Sequence, residues 1–281
     1  MDTRPLFSRY RLYLIGVGAA TLVALLLRTL ALFLAFDRDI GYFSTATPAD
    51  GFLVYSLYVI EALALIGSFS LLFFIRKGEL PAERAPLSKA GSIGTGACAL
   101  VFAAISVFLL TKVGSLPSPV IFTVLAAICS GVAAAYFIFQ LLGKTNATPL
   151  LGYGVILAAA LLLSVTYFDR YTQMNAPHKV GLHLCLLSIM VFMLYELRPL
   201  IGRSLPRALS ITSALCFFFC AAVGVSDIIA FIGGVYTDFL YFIIDLLATG
   251  FALYIGSRAA GDLMQAAPVA ATETTSDDAA A

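Results

Sequence analysis

Six ionisable side chains lie in or beside long apolar runs of this chain: Arg28, Glu61, His183, Asp227, Asp238 and Asp245. A charge held in hydrocarbon costs about 2.5 to 3.5 kcal/mol on the insertion scale, so it needs a partner, water or a purpose. Arg28, Glu61, Asp227 and Asp245 fall at a shared depth, between the midplane and the outer surface of the runs that carry them, which brings mutual pairing within reach. Each of three stripes repeats polar or small residues at helical spacing: Gly18, Thr21, Leu25 and Arg28; Ser213, Cys216, Cys220, Gly224 and Asp227; Asp238, Tyr241 and Asp245. Stripes of this kind face protein or water rather than lipid.

Glu61, Asp227 and Asp245 set three acids against one arginine, so two carboxylates are left over when all are ionised. The chemistry that fits is a proton- or cation-responsive cavity open to the outer side, with Arg28 as counter-ion or anion contact. The plainer structural account pairs Arg28 with one acid and leaves the others hydrogen-bonded to neighbouring helices. His183 sits among Leu182, Leu184, Leu186 and Leu187. His178 lies five residues away, about 140° around a helix, and no acid stands at three or four residues' separation. An interhelical histidine with its hydrogen bonds satisfied fits that pattern better than a metal ligand, though His183 also belongs with the cavity candidates. No catalytic residue, metal site or cofactor is expected.

The elements that must position these groups follow from the solvent. Of 281 residues, 61% are hydrophobic and 12% charged, and the mean hydropathy is +0.98. A soluble domain carries about 25% charged residues, so the medium here is lipid. A helix rises about 1.5 Å per residue and must cross about 30 Å of hydrocarbon. Eight apolar runs meet that need, at approximately 12–36, 51–75, 91–112, 118–142, 149–168, 179–197, 208–231 and 238–257. They are too continuously apolar for the alternation of a barrel, so the expected fold class is all-α, a polytopic membrane bundle forming a single transmembrane domain over 1–257. Residues 258–281 read as a disordered cytoplasmic tail. The run after Arg4, Arg9 and Arg11 exceeds a signal-peptide core and is expected to be a retained anchor.

Twelve of the seventeen Lys and Arg residues fall on one side if both termini are cytoplasmic, among them Arg76, Lys77, Arg84, Lys89, Lys144, Arg203 and Arg207. Arg38, Lys112, Arg170 and Lys179 fall on the other, and Arg28 lies within the membrane. The positive-inside rule thus gives N-in, C-in, and the expected location is a plasma (inner) membrane. There is no Trp, so tyrosines such as Tyr10, Tyr42, Tyr167 and Tyr236 take over the interfacial belt. On this topology the sequon Asn146-Ala-Thr148 is cytoplasmic and inert. A shift of 122 positions lays helices two to four on helices six to eight, placing Glu61 on His183 and Arg76 on Arg198. Identity is sparse, so this is at most a weak 4+4 parallel repeat.

Several patterns are better explained by packing. Gly91-Ser-Ile-Gly94-Thr-Gly96 resembles a phosphate loop, yet it opens a membrane helix with no preceding strand and no following Lys-Ser or Lys-Thr. The five cysteines all lie in apolar runs, as small buried residues. Short connections leave no room for a soluble catalytic domain, and a net charge of +1 gives no reason to expect nucleic acid. The expected partners are the lipid bilayer, a small solute or ion, and a membrane-protein partner or second copy. Two function classes therefore stand side by side: a small-solute or ion transporter or channel-like protein, and a non-enzymatic sensor, scaffold or assembly subunit. The small-residue surface Gly131-Val-Ala-Ala-Ala135 would suit the second. A membrane enzyme ranks behind both, with the connection Gln173–Lys179 as its polar site.

Overall fold

The computed structural model describes residues 4–38, 40–74, 89–143, 148–169, 171–202 and 205–265. Arg76, Lys77 and Arg84 of the expected basic loop, Lys144, Asn146 of the sequon, Arg170, Arg203 and tail residues 266–281 lie outside the described residues. The helices are α1 Arg4–Leu34, α2 Pro48–Phe74, α3 Lys89–Thr111, α4 Val120–Leu141, α5 Thr148–Tyr167, α6 Pro177–Leu197, α7 Pro206–Phe219, α8 Ser226–Ile232 and α9 Phe239–Gln265. A π-helical turn, Cys220–Val225, joins α7 to α8 without a break, so the two cross as one rod.

Among the described residues eight helical stretches are thus long and apolar enough to cross a membrane, with mean hydropathies between 1.8 and 2.4. The chain is an integral, multi-pass membrane protein. Its exposed large side chains are mostly Leu, Ile, Val, Phe and Tyr, as a lipid-facing surface requires. Helix starts carry proline at a position where its missing N–H is no loss: Pro177 opens α6 and Pro206 opens α7. After α6 a 3₁₀ turn, Arg198–Ile201, stops at Gly202, whose φ of +77° a side chain would resist.

Most boundaries lie within three residues of those expected, and three of the differences have a local cause or consequence. The first helix begins at Arg4, so its basic first turns are helical as well. It ends at Leu34, because Phe36–Asp37 pairs with Tyr42–Phe43 in a two-stranded antiparallel ribbon, the one β element among the described residues. Helix α9 runs seven residues past Arg258 to Gln265, where a tail was expected from 258. Ala259, Ala260, Leu263 and Met264 are good helix formers and carry the last two turns onward.

The main core gathers α3, α4, α5, α6, the π turn and α9. Its tightest part is a ring cluster. Phe102 stacks on Phe137 at 5.8 Å, and Phe251 meets both edge-on at 6.1 and 5.8 Å. Ala126, Ala127, Ser130, Ala133 and Ala134 of α4 are buried, and α4 packs against α3 and α5. The small-residue stretch around Gly131 is therefore used inside the bundle. Helices α1 and α2 flank this core: α1 lies against the π turn, α7 and α8, and α2 lies against α1 and α7. The end where α1 and α8 finish and α6 and α9 begin is called distal below, and the end where α4, α6 and α9 finish is called proximal.

Candidate functional site

Arg28 is one and a half turns from the end of α1, and its guanidinium passes between α6 and α8. Nε donates to Asp227 Oδ1 and Nη2 to Asp227 Oδ2, both at 3.1 Å, in a two-pronged pair. Nη2 also donates to the Pro177 carbonyl at 3.3 Å. That carbonyl opens α6. Arg28 is 3% exposed and Asp227 1%, so the pair is closed off from solvent. Gly181 lets α6 come this close: a Cβ there would lie 2.8 Å from Arg28 Nη2 and 3.0 Å from Val223. Ser226 steadies the acid from its own backbone, donating to Ala222 O at 2.6 Å and facing Asp227 Oδ1 at 3.4 Å.

Asp245 is buried on α9, 5% exposed, and its Oδ1 has no hydrogen-bond partner. Arg28, Asp227 and Cys185 lie within its electrostatic reach. One turn on, the Thr249 hydroxyl is likewise buried without a partner. The π turn packs on this part of α9 through Gly224, where a Cβ would come within 3.0 Å of Asp245 O and Thr249 N. A π turn widens the helix by one residue and disturbs its carbonyl ladder. At its start, the Phe219 carbonyl accepts from the Cys185 thiol at 3.3 Å.

Of the sequence candidates, the fold brings Arg28, Asp227 and Asp245 together at the distal end, with Glu61 near enough on α2 to attract Arg28 electrostatically. Asp238 stands apart, exposed just before α9, where its carboxylate accepts the Leu240 N–H at 2.8 Å and so caps that helix. His183 also stands apart: its Nε2 and Thr166 Oγ1 of α5 are 3.0 Å apart. Glu61 and His183, which the repeat would superpose, therefore have different surroundings.

A second distal cluster adjoins the pair; its His178 and Lys179 belong to the connection Gln173–Lys179 expected as the polar site of a membrane enzyme, and Asp169 and Tyr236 join them from outside it. Lys179 is fully buried, its Nζ donating to the Asp169 and Thr172 carbonyls at 2.9 and 3.1 Å. The Asp169 carboxylate accepts the Tyr241 hydroxyl at 2.9 Å and the Tyr171 N–H at 3.0 Å. His178 lies between Tyr236 and Tyr241, ring centroids 4.5 and 4.9 Å away. Its Nδ1 and the Tyr236 hydroxyl are buried without hydrogen-bond partners. Burial pushes the Tyr236 phenol well above its usual range, and nearby Asp227 adds to the effect. These residues flank a helix start, where polar side chains are ordinary, so their types alone gave no sign of a buried cluster. The closeness of Asp169 and Lys179 on either side of one short connection was the available hint.

Tyr241→Phe removes the hydroxyl that holds Asp169, and should lower stability by about 1.5 to 3 kcal/mol, the range for a hydrogen bond to a charged group. Thermal unfolding in detergent measures this. Tyr171→Phe, at an 88% exposed side chain, should unfold with the parent protein.

The proximal end is tied separately. Arg258 Nη1 donates to Glu196 Oε1 at 2.9 Å, and the Tyr254 hydroxyl donates to the same oxygen at 3.0 Å. Gln140 Oε1 accepts from Tyr254 and Arg258 at 3.3 and 3.4 Å. The Arg258 guanidinium also lies 4.4 Å above the Tyr254 ring. This group clamps α4, α6 and α9. Among the described residues no three His, Cys, Asp or Glu side chains converge as a metal site would require.

Comparison with protein-family models, with curated proteins and with solved structures gave no match for this chain.

Proposed function

We propose that this multi-pass membrane protein moves a small solute or ion across the bilayer, with Arg28, Asp227 and Asp245 as the groups that respond to its charge. The observation that carries this reading is Asp245: a buried carboxyl with an unpartnered oxygen, inside a membrane span and beside an ion pair that already satisfies itself. A purely structural acid would be bonded or reach water, because an unsatisfied buried polar group lowers stability. The π turn beside it supports the same reading, since such turns recur at functional sites.

The test is flux through proteoliposomes of the purified chain, run over a panel of cations, anions and small neutral solutes, with and without a pH gradient. Asp245→Asn should lower the initial rate by about tenfold or more, equivalent to about 1.4 kcal/mol on the limiting barrier. Parent protein that carries none of the panel counts against transport.

A second reading, a membrane-embedded assembly subunit, draws on α2. Only 17% of its apolar window is buried, leaving Phe52, Tyr55, Val59, Leu63 and Ile66 uncovered along one side. A membrane-protein partner recovered at fixed stoichiometry, together with absent flux, would favour that reading.

A further inference from the structure

Resting on the transport reading, we infer that Asp245 is a proton-binding site, occupied in the packing described here, and that the coupled ion is H⁺ rather than a metal cation. The argument starts with charge balance. The ionisable groups within electrostatic reach of Asp245 are Asp227 on α8, Arg28 on α1, Cys185 on α6 and Tyr236 in the connection before α9. Cys98 of α3 approaches one turn further on, at Gly250. Cys216 and Cys220 lie behind Cys185, their sulfurs 3.8 Å apart. Arg28 is the one cation in this set, and both its prongs are engaged by Asp227. The others are an acid, thiols and a phenol.

An ionised Asp245 would therefore be an anion at 5% exposure with no donor on Oδ1 and with the nearby arginine already engaged by Asp227. Burying such a charge is far more costly than burying a neutral acid. Taking one H⁺ onto the carboxylate to give the carboxylic acid removes that charge.

A metal cation fits less well. A hard cation gathers about six oxygens, whereas the partner-free oxygens among the groups named here are three, Asp245 Oδ1 and the Thr249 and Tyr236 hydroxyls. A proton needs one. Location agrees as well: Asp238, Tyr241, Asp245 and Thr249 follow one another at three- and four-residue spacing on one face of the chain leading into α9, from an exposed carboxylate to a buried hydroxyl. Those eleven steps rise about 16 Å, roughly half the hydrocarbon thickness. The stripe thus brings the buried acid into line with the distal surface and ends near the midplane.

The deciding measurement is infrared absorption of the protonated-carboxyl C=O stretch, on the full-length chain in lipid vesicles at neutral pH. The parent protein should show a band that Asp245→Asn removes and Glu61→Gln leaves in place. Where Asp245→Asn does not fold, Asp245→Glu keeps a carboxyl in altered surroundings and should move the band. No protonated-carboxyl band in the parent, or a band unmoved by both Asp245 variants, overturns the proton site. A band lost on adding Na⁺ at constant pH overturns it in favour of a metal cation. Flux and infrared results fail independently. Parent protein without flux but with the Asp245 band removes the transport reading alone, and flux without the band removes the proton alone.

Discussion

Arg28→Ala should destabilise the protein by about 3 to 5 kcal/mol, because it leaves Asp227 ionised and alone in a closed interior. Asp227 is 1% exposed and takes both prongs of the guanidinium at 3.1 Å. The effect should appear as a large drop in melting temperature in detergent, or as loss of folded protein on expression. Arg28→Lys should recover only part of the loss. A lysine ammonium cannot offer the planar fork that meets both carboxylate oxygens while also reaching the Pro177 carbonyl. The double variant Arg28→Met with Asp227→Leu separates pairing from burial. Replacing a buried pair by apolar groups of similar volume is often neutral or better, so the double variant should be more stable than Arg28→Ala. If Arg28→Ala melts with the parent protein, the pair is not a structural element and Asp227 must find another donor.

The second large effect is expected from one methyl group. Gly94→Ala would place a Cβ 2.6 Å from Tyr254 Cα, 2.7 Å from Tyr254 N and 2.8 Å from Leu253 C. All three are backbone atoms, so no side chain can swing aside, and α3 and α9 must separate along their shared face. Overpacking of this kind costs about 1 to 3 kcal/mol and sometimes more. The separation would pull Phe251 from Phe102 and shift Tyr254 away from Glu196, so the cost should fall at the upper end. Gly96→Ala is the control two residues away, where nothing lies within 4 Å of the added methyl. There the gain in helix propensity should leave stability unchanged or raise it by up to about 1 kcal/mol. Equal melting temperatures for the two variants would disprove the close contact.

That glycine pair also shows what the sequence could tell. Gly91-Ser-Ile-Gly94-Thr-Gly96 was readable as a packing feature rather than a phosphate loop, because it opens an apolar run. Which glycine touches a partner helix was not readable, since contact depends on where α9 lies. The eight apolar runs were legible for the same reason: length and hydropathy are local properties, and the bilayer demands both. Arg28, Asp227 and Asp245 each announced themselves as charges in hydrocarbon. The choice of Asp227 over Glu61 and Asp245 as the partner was not encoded locally, for it is made by α1 lying against α8, 199 residues along the chain.

Lys179 and Glu196 read as ordinary surface charges rather than buried ones for the opposite reason. Both stand near helix ends, where charge is normal at a membrane surface. Their burial arises from chain elsewhere, with Tyr241 helping to fold the connection around Lys179, and with Tyr254 and Arg258 covering Glu196. The π turn left no mark either, because Cys-Ala-Ala-Val-Gly-Val is a composition that an ordinary α-helix carries equally well.

A π turn amounts to one residue inserted into an α-helix, and each residue of a helix accounts for about 100° of rotation. The turn at Cys220–Val225 thus sets the azimuth of everything after it, Asp227 first of all. In the language of insertions and deletions, a chain one residue shorter here would keep the same apolar rod and the same span, yet aim its carboxylate about a quarter turn away from Arg28. A single codon therefore separates a helix that presents its acid to the arginine from one that turns it aside, and no hydropathy profile would distinguish the two.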